Sequence, residues 1–225
     1  QSAYVPENLP PARSQNEVPE GERPPVGVVE IKIPEVANKC MAYVPENYGS
    51  AASYGLIVWL HAPGSFDADE LVERWKPHCE QHDLILLAPQ SADIRRWTSN
   101  EFEFVRKTMD DVISNYAVDP TRVVLHGYLA GGAMAYHVGF GNRDICRAIA
   151  PVAAPLPLRV GVPLTDPVQP MAIYSCSSPS GEGFERIEAG EQKLQERAFP
   201  VVVVRLAGPQ RYLNPDELQR LVRWV

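Results

Sequence analysis

Residues Arg122 to Gly132 read Arg-Val-Val-Leu-His-Gly-Tyr-Leu-Ala-Gly-Gly, and no other stretch of the chain limits the fold as tightly. Val123, Val124 and Leu125 form a short apolar run of the kind buried on both faces of a sheet. Gly127, Gly131 and Gly132 bracket a tight turn, and Ala133 to Phe140 continues as a helix. Glycines at this spacing let strand, turn and helix backbones approach closer than a Cβ would allow. A strand that feeds at once into a helix is the unit of a parallel sheet. The rest of the chain should therefore alternate between the two.

The flanking pattern agrees. Val26 to Ile33 and Cys40 to Val44 predict an antiparallel pair at a sheet edge. Leu56 to Leu60 and Leu84 to Ala88 are continuous apolar runs of strand length. Residues 68–82 carry a helical pattern, with Pro77 expected to bend or end it. Phe102, Val105, Met109, Val112, Ile113 and Tyr116 fall on one face of a helix over 99–116, and Thr98 with Glu101 suits a capping box at its start. Arg122 to His126, Ala148 to Val152, Met171 to Ser175 and Val201 to Leu206 predict four more strands, and Phe184 to Ala198 a helix. Asn214, Pro215 and Glu217 mark the start of a last one. The Pro-rich stretch between the strands ending at Val152 and starting at Met171 is too short for a large lid. The expected class is α/β: a mostly parallel central sheet with helices on both faces.

The 225 residues are 45% hydrophobic, enough for one sizeable core. Residues 26–225 read as a single domain and residues 1–25 as an extended Pro-rich linker or arm. Ala3 to Asn8 recurs as Ala42 to Asn47, but six residues do not make a repeat architecture. The net charge of −7 and the lack of dense Lys/Arg runs argue against a nucleic-acid partner. No apolar run approaches the ~20 residues of a membrane helix. The sequence begins at Gln1 with no signal peptide and ends inside a helical pattern at Trp224-Val225. It is therefore expected to be a domain excised from a longer chain, with other domains of the parent among its partners and no compartment specified. Cys40, Cys79, Cys146 and Cys176 show no C-x-x-C spacing and are expected to be buried free thiols.

The glycine-bracketed turn has the context of the nucleophile elbow G-x-S-x-G, with Leu129 in the central position. With Tyr43-Val-Pro-Glu-Asn-Tyr48, Leu56-Ile-Val-Trp-Leu-His61, Val118-Asp-Pro-Thr-Arg-Val123 and Ala133-Met-Ala135, the chain resembles the α/β-hydrolase superfamily. Within it, the chain is similar to the esterase branch of polyhydroxybutyrate depolymerases, feruloyl esterases and dienelactone hydrolases. The resemblance spans about residues 27–225. It implies the α/β-hydrolase fold, an acid after a late strand and a histidine after the last strand. The segment Cys176 to Glu182, where the acid belongs, contains no aspartate, and Glu182 and Glu185 read as loop or helix-start charges. The segment Ala207 to Tyr212, where the base belongs, contains no histidine, and none follows His137. The loop His61-Ala62-Pro63-Gly64 stands where the family shows His-Gly-x-Gly, and Pro63 has no N–H to donate.

The expected site is thus a degenerate one. No catalytic residue is assigned, and Leu129 fills the nucleophile position. Ala62 and Ala130 mark the former oxyanion region. His61, Tyr128, Trp97, Cys176 and Gln210 are the pocket candidates. No cofactor or metal is expected: His78 and His82, four apart, lack a third ligand and read as a solvated helix face. His126 reads as an interior residue. The function expected is a catalytically inactive binding or scaffolding module whose partner is a protein or a small molecule. The alternatives are an ester or peptide hydrolase with rearranged residues, such as Cys176 or a carboxylate with His126, and a small-molecule sensor that keeps the old pocket.

Overall fold

The structure is a computed structural model that describes residues 24–64 and 66–225. Most of the expected arm at 1–25, and the first copy of the repeated hexapeptide, lie outside the described residues.

Eight strands form one sheet: β1 (Gly27–Glu30), β2 (Cys40–Val44), β3 (Tyr54–Leu60), β4 (Leu84–Pro89), β5 (Val118–Tyr128), β6 (Ala148–Val152), β7 (Ala172–Ser177) and β8 (Val201–Arg205). Their order across the sheet is β1-β2-β4-β3-β5-β6-β7-β8. The β1–β2 and β2–β4 pairs are antiparallel, and every later pair is parallel. Helices α1 (Ala68–His82) and α5 (Pro215–Trp224) cover one face, and α2 (Phe102–Asn115), α3 (Ala130–Gly141) and α4 (Phe184–Glu196) the other. Leu56, Val58 and Leu60 of β3 join the core under α2 and α3, while Ile57 and Trp59 join the core under α1 and α5. This two-sided burial is why the central strands read as unbroken apolar runs. The connection from β6 to β7 contains no helix or strand, so no large lid stands over the sheet.

Several local expectations need correction. Pro77 does not end α1, which runs on to His82. Proline forfeits one helical hydrogen bond, to the carbonyl of Glu73. Both residues are exposed, so water can satisfy that carbonyl, and buried Leu71, Trp75 and Cys79 hold the helix in place. Strand β5 begins at Val118 rather than Arg122 and passes through Pro120. The register shift between Tyr54 and Leu56 on β3 relaxes the ladder where proline has no N–H to offer. The core face of α2 includes Phe104 and Thr108, and Phe102 and Ile113 are only partly buried. A short 3₁₀ turn, Ser99–Glu101, precedes α2. The Glu101 carboxylate there accepts from Thr98 N–H at 2.7 Å, as the capping pattern predicts, and also from Ala92 N–H and Asn38.

The face bearing His78 and His82 is only partly solvated, because α5 packs across it. His78 is buried beside the Trp75 ring, and the His82 Nε2 lies 2.8 Å from the Gln219 side-chain amide. All four cysteines are buried and free. No described helix is long and apolar enough to cross a membrane.

Candidate functional site

Strand β5 ends at Tyr128 and α3 begins at Ala130, so the whole turn is made at Leu129. Its backbone sits at φ 53° and ψ −118°, a region that costs a non-glycine residue about 1–3 kcal/mol. The surroundings hold it there. Leu129 N–H donates to Val152 O at 3.0 Å, and Leu129 O accepts from Ala133 N–H at 3.0 Å. A Cβ on Gly131 would lie 2.0 Å from Leu60 O, and one on Gly127 would lie 2.4 Å from the Gly131 carbonyl carbon. The close approach inferred from the glycine spacing is therefore present. The Leu129 side chain is half-buried and packs against the apolar cluster that includes Val152, Cys176 and Leu206. It offers no lone pair where the family places its nucleophile.

The two loops that would supply acid and base are joined to each other by different chemistry. Ser178 and Ser180 hydroxyls, after β7, both donate to Gly208 O, after β8. Gln210 packs so closely on Gly181 that a Cβ there would lie 2.5 Å from the amide oxygen. Glu182 and Glu185 are exposed and make no hydrogen bond among the described residues.

The loop after β3 is shaped by a buried histidine. His61 Nδ1 lies 2.8 Å from Ala62 O, a carbonyl that can only accept, so Nδ1 carries the proton. Its Nε2 then accepts from Ser91 N–H at 3.1 Å. Burial lowers the pKa of this imidazole below the usual histidine value. Trp97 donates its indole N–H to His61 O at 3.0 Å. Both side chains are thus spent on loop shape. Gly64 N–H is spent as well, donating to Ile94 O at 2.8 Å.

On the α1 side of β5 lies a second arrangement. His126 is fully buried, and its Nδ1–H donates to Ala150 O at 2.7 Å. Its Nε2 must therefore accept, and it does so from the Tyr212 hydroxyl at 2.7 Å. Trp59 Nε1–H donates to the same hydroxyl at 3.3 Å. Burial drives the His126 pKa down to about 4 and the Tyr212 phenol up. Tyr212 sits in the loop where the resemblance calls for histidine.

Beside this pair opens a cleft of about 240 Å³, lined by Trp59, Ala62, Leu71, Tyr128 and Tyr212, with Asp67, Glu70 and Arg74 from the start of α1. Of the expected pocket residues only Tyr128 lines it, joined by Ala62 from the expected oxyanion region, while His61, Trp97, Cys176 and Gln210 do not. Cys176 is buried, and burial pushes its thiol up to about 12. Sequence reasoning missed Trp59, Arg74 and Tyr212 as cleft residues. The available signal was an aromatic on the opposite strand face from Val58 and a tyrosine in the histidine loop. Among the described residues, no group of three or more His, Cys, Asp and Glu side chains could hold a metal ion.

No family model and no curated protein matches the sequence. Solved structures do match. S-formylglutathione hydrolase from Staphylococcus aureus aligns at 12% identity over 88% of this chain and 96% of its own, with a TM-score of 0.69. Esterase 2 from Thermogutta terrifontis, phosphoramylated by tabun, aligns at 15% identity over 88% and 92%, with a TM-score of 0.65. A candidate dipeptidyl aminopeptidase IV from Bacteroides ovatus aligns at 11% identity and a TM-score of 0.71 over 89% of this chain, which spans 35% of that longer one. Strand order, helix placement, the elbow backbone and these alignments agree: the chain has the α/β-hydrolase fold, without a large lid and with leucine at the elbow.

Proposed function

We propose that this chain is a catalytically inactive α/β-hydrolase-fold domain that works as a binding module. The observation that carries the reading is Leu129, an apolar side chain seated at the vertex of an intact elbow. Acyl transfer at that position needs an activated nucleophile, a base within hydrogen-bond reach and donors for the oxyanion. Leu129 provides no nucleophile, and the Ser178–Gly208 and Ser180–Gly208 bonds occupy the loops that would hold acid and base. Pro63 has no N–H and the Gly64 N–H is engaged, so the loop after β3 loses two of the donors that an oxyanion would need. The rearranged-enzyme alternative is disfavoured on the same grounds. Cys176 is buried with its thiol held protonated, and both nitrogens of His126 are engaged. Between the two binding roles, the cleft beside Tyr212 favours a small ligand over a purely structural scaffold.

The test is turnover of p-nitrophenyl acetate together with fluorophosphonate labelling of the native protein. The expected result is no hydrolysis above the buffer rate and no stoichiometric adduct. A site-specific adduct, or turnover abolished by substitutions around Leu129, would overturn the reading.

A further inference from the structure

The chemistry of the cleft restricts what it can hold. Its floor is aromatic: the Tyr128 and Tyr212 ring centroids lie 5.9 Å apart in an edge-on arrangement, and Trp59 completes the wall. Two donors of that floor are already spent, Trp59 N–H on Tyr212 and Tyr212 O–H on His126, which leaves the Tyr128 hydroxyl as the one floor group without a hydrogen-bond partner among the described residues. What Tyr212 presents is its ring face, which carries negative potential. Acceptors remain at the rim: Asp67 uses one carboxylate oxygen to cap α1, and Glu70 uses one to pair with Arg74. A cation already occupies the floor, since the Arg74 guanidinium carbon lies 5.1 Å from the Tyr212 ring centroid. Arg74 is tied down by a single surface pair with Glu70, one turn away on the same helix, which is a weak restraint. The volume of about 240 Å³ is below the range typical of drug-sized ligands and suits a single head group.

From this geometry, and resting on the binding-module reading, we propose that the cleft receives a small organic cation, a guanidinium or methylated ammonium head group. The ligand sits on the faces of Tyr212 and Tyr128 in place of Arg74, with Asp67 and Glu70 balancing its charge. Aromatic faces ringed by carboxylates bind such cations through the ring quadrupole and the Coulomb attraction together. Arg74 acts as a resident competitor.

The test follows the Trp59 indole ¹H–¹⁵N resonance, identified by its loss in Trp59→Phe. The native chain is titrated at constant ionic strength with tetramethylammonium chloride, with dilute guanidinium chloride and, as the anionic contrast, with sodium benzoate. The cations should shift the resonance saturably in the millimolar range. Tyr128→Leu, which leaves the Tyr212–His126 bond untouched, should weaken binding about fivefold, and Arg74→Ala should tighten it by a similar factor. A trimethyllysine peptide that binds more tightly than tetramethylammonium would mark the source as a protein side chain, and equal binding would mark it as a free cation. Benzoate binding that is lost in Arg74→Ala would overturn the proposal in favour of an anion site. No saturable shift with either cation, in the native chain and in Arg74→Ala, would also overturn it. Neither result touches the inactive-domain reading, which falls on ester turnover or fluorophosphonate labelling instead.

Discussion

Replacing Gly131 by alanine puts a methyl group where two backbone segments already meet. The new Cβ would lie 2.0 Å from Leu60 O and 2.6 Å from His61 O, whereas real Cβ atoms essentially never come closer than 3.0 Å. The first turn of α3 would have to retreat by at least 3.0 − 2.0 = 1.0 Å from the end of β3. Neither side can yield cheaply. Strand β3 is hydrogen-bonded to β4 and β5, and α3 hangs from β5 through the single residue Leu129. Overpacking a core costs about 1–3 kcal/mol, and a clash of backbone on backbone belongs at the upper end. A loss of about 3 kcal/mol is a large part of the ~5–15 kcal/mol that holds a domain folded. Urea unfolding followed by tryptophan fluorescence reads it directly. With a slope of about 2–3 kcal/mol per molar, the midpoint of Gly131→Ala should fall by roughly 1 M. Gly141→Ala is the matched control at the last residue of α3, where a Cβ meets nothing within 4 Å. It should be neutral or stabilise by up to about 1 kcal/mol. If Gly131→Ala unfolds within about 0.5 kcal/mol of the parent chain, the tight elbow contact is absent and the reasoning built on it fails.

Three further outcomes follow. Leu129→Ser should fold and still fail to hydrolyse p-nitrophenyl butyrate, because no histidine occurs in the loop after β8; serine-dependent turnover in this variant would show that a base is present after all. His126, with a folded pKa of about 4 against the ordinary 6.5, should remain neutral by NMR well below pH 6. Its contribution to stability is complete above pH 6.5 and is lost as pH falls toward about 4, a drop of up to about 3 kcal/mol, so an imidazole titrating near 6.5 would refute the burial argument. Glu191→Gln should cost about 1–3 kcal/mol in urea unfolding, since the buried carboxylate takes bonds from Ser175 at 2.6 Å and from both terminal nitrogens of Arg205 at 2.9 and 2.6 Å; an unchanged midpoint would mean that the pair contributes nothing.

The sequence carried the elbow and the sheet because both rest on local constraints. Gly127, Gly131 and Gly132 are each required by a specific backbone approach, and such requirements leave a mark at fixed spacing. The apolar runs of β3 and β4 reflect burial on two faces, again a local signal. The cleft is different in kind. The bond between His126 and Tyr212 joins residues 86 positions apart, and that between Trp59 and Tyr212 joins residues 153 apart. Nothing in the short segments around these residues specifies the pairing. The fate of His78 was hidden for a related reason. Its exposure depends on where α5 packs, and helix docking is set by the whole sheet rather than by the i, i+4 spacing of two histidines.

The elbow of this chain separates two requirements that an active enzyme merges. A positive φ at the vertex residue is usually read as strain held for chemistry. Here the same strain is present at Leu129, whose side chain is a saturated hydrocarbon with no lone pair. Packing accounts for it: β5 must end against β6, α3 must start against β3, and one residue bridges them. A strained elbow is thus a property of the strand-to-helix junction, and catalysis is an addition to it. The loop after β8 shows the converse. Where the fold would aim a base at the vertex, this loop carries Tyr212 to the α1 side of β5 and spends its hydroxyl on His126. That bond fixes the ring face as a wall of the cleft. In the proposed reading this scaffold position shapes a surface instead of transferring a proton, and that, more than Leu129 alone, is what favours binding.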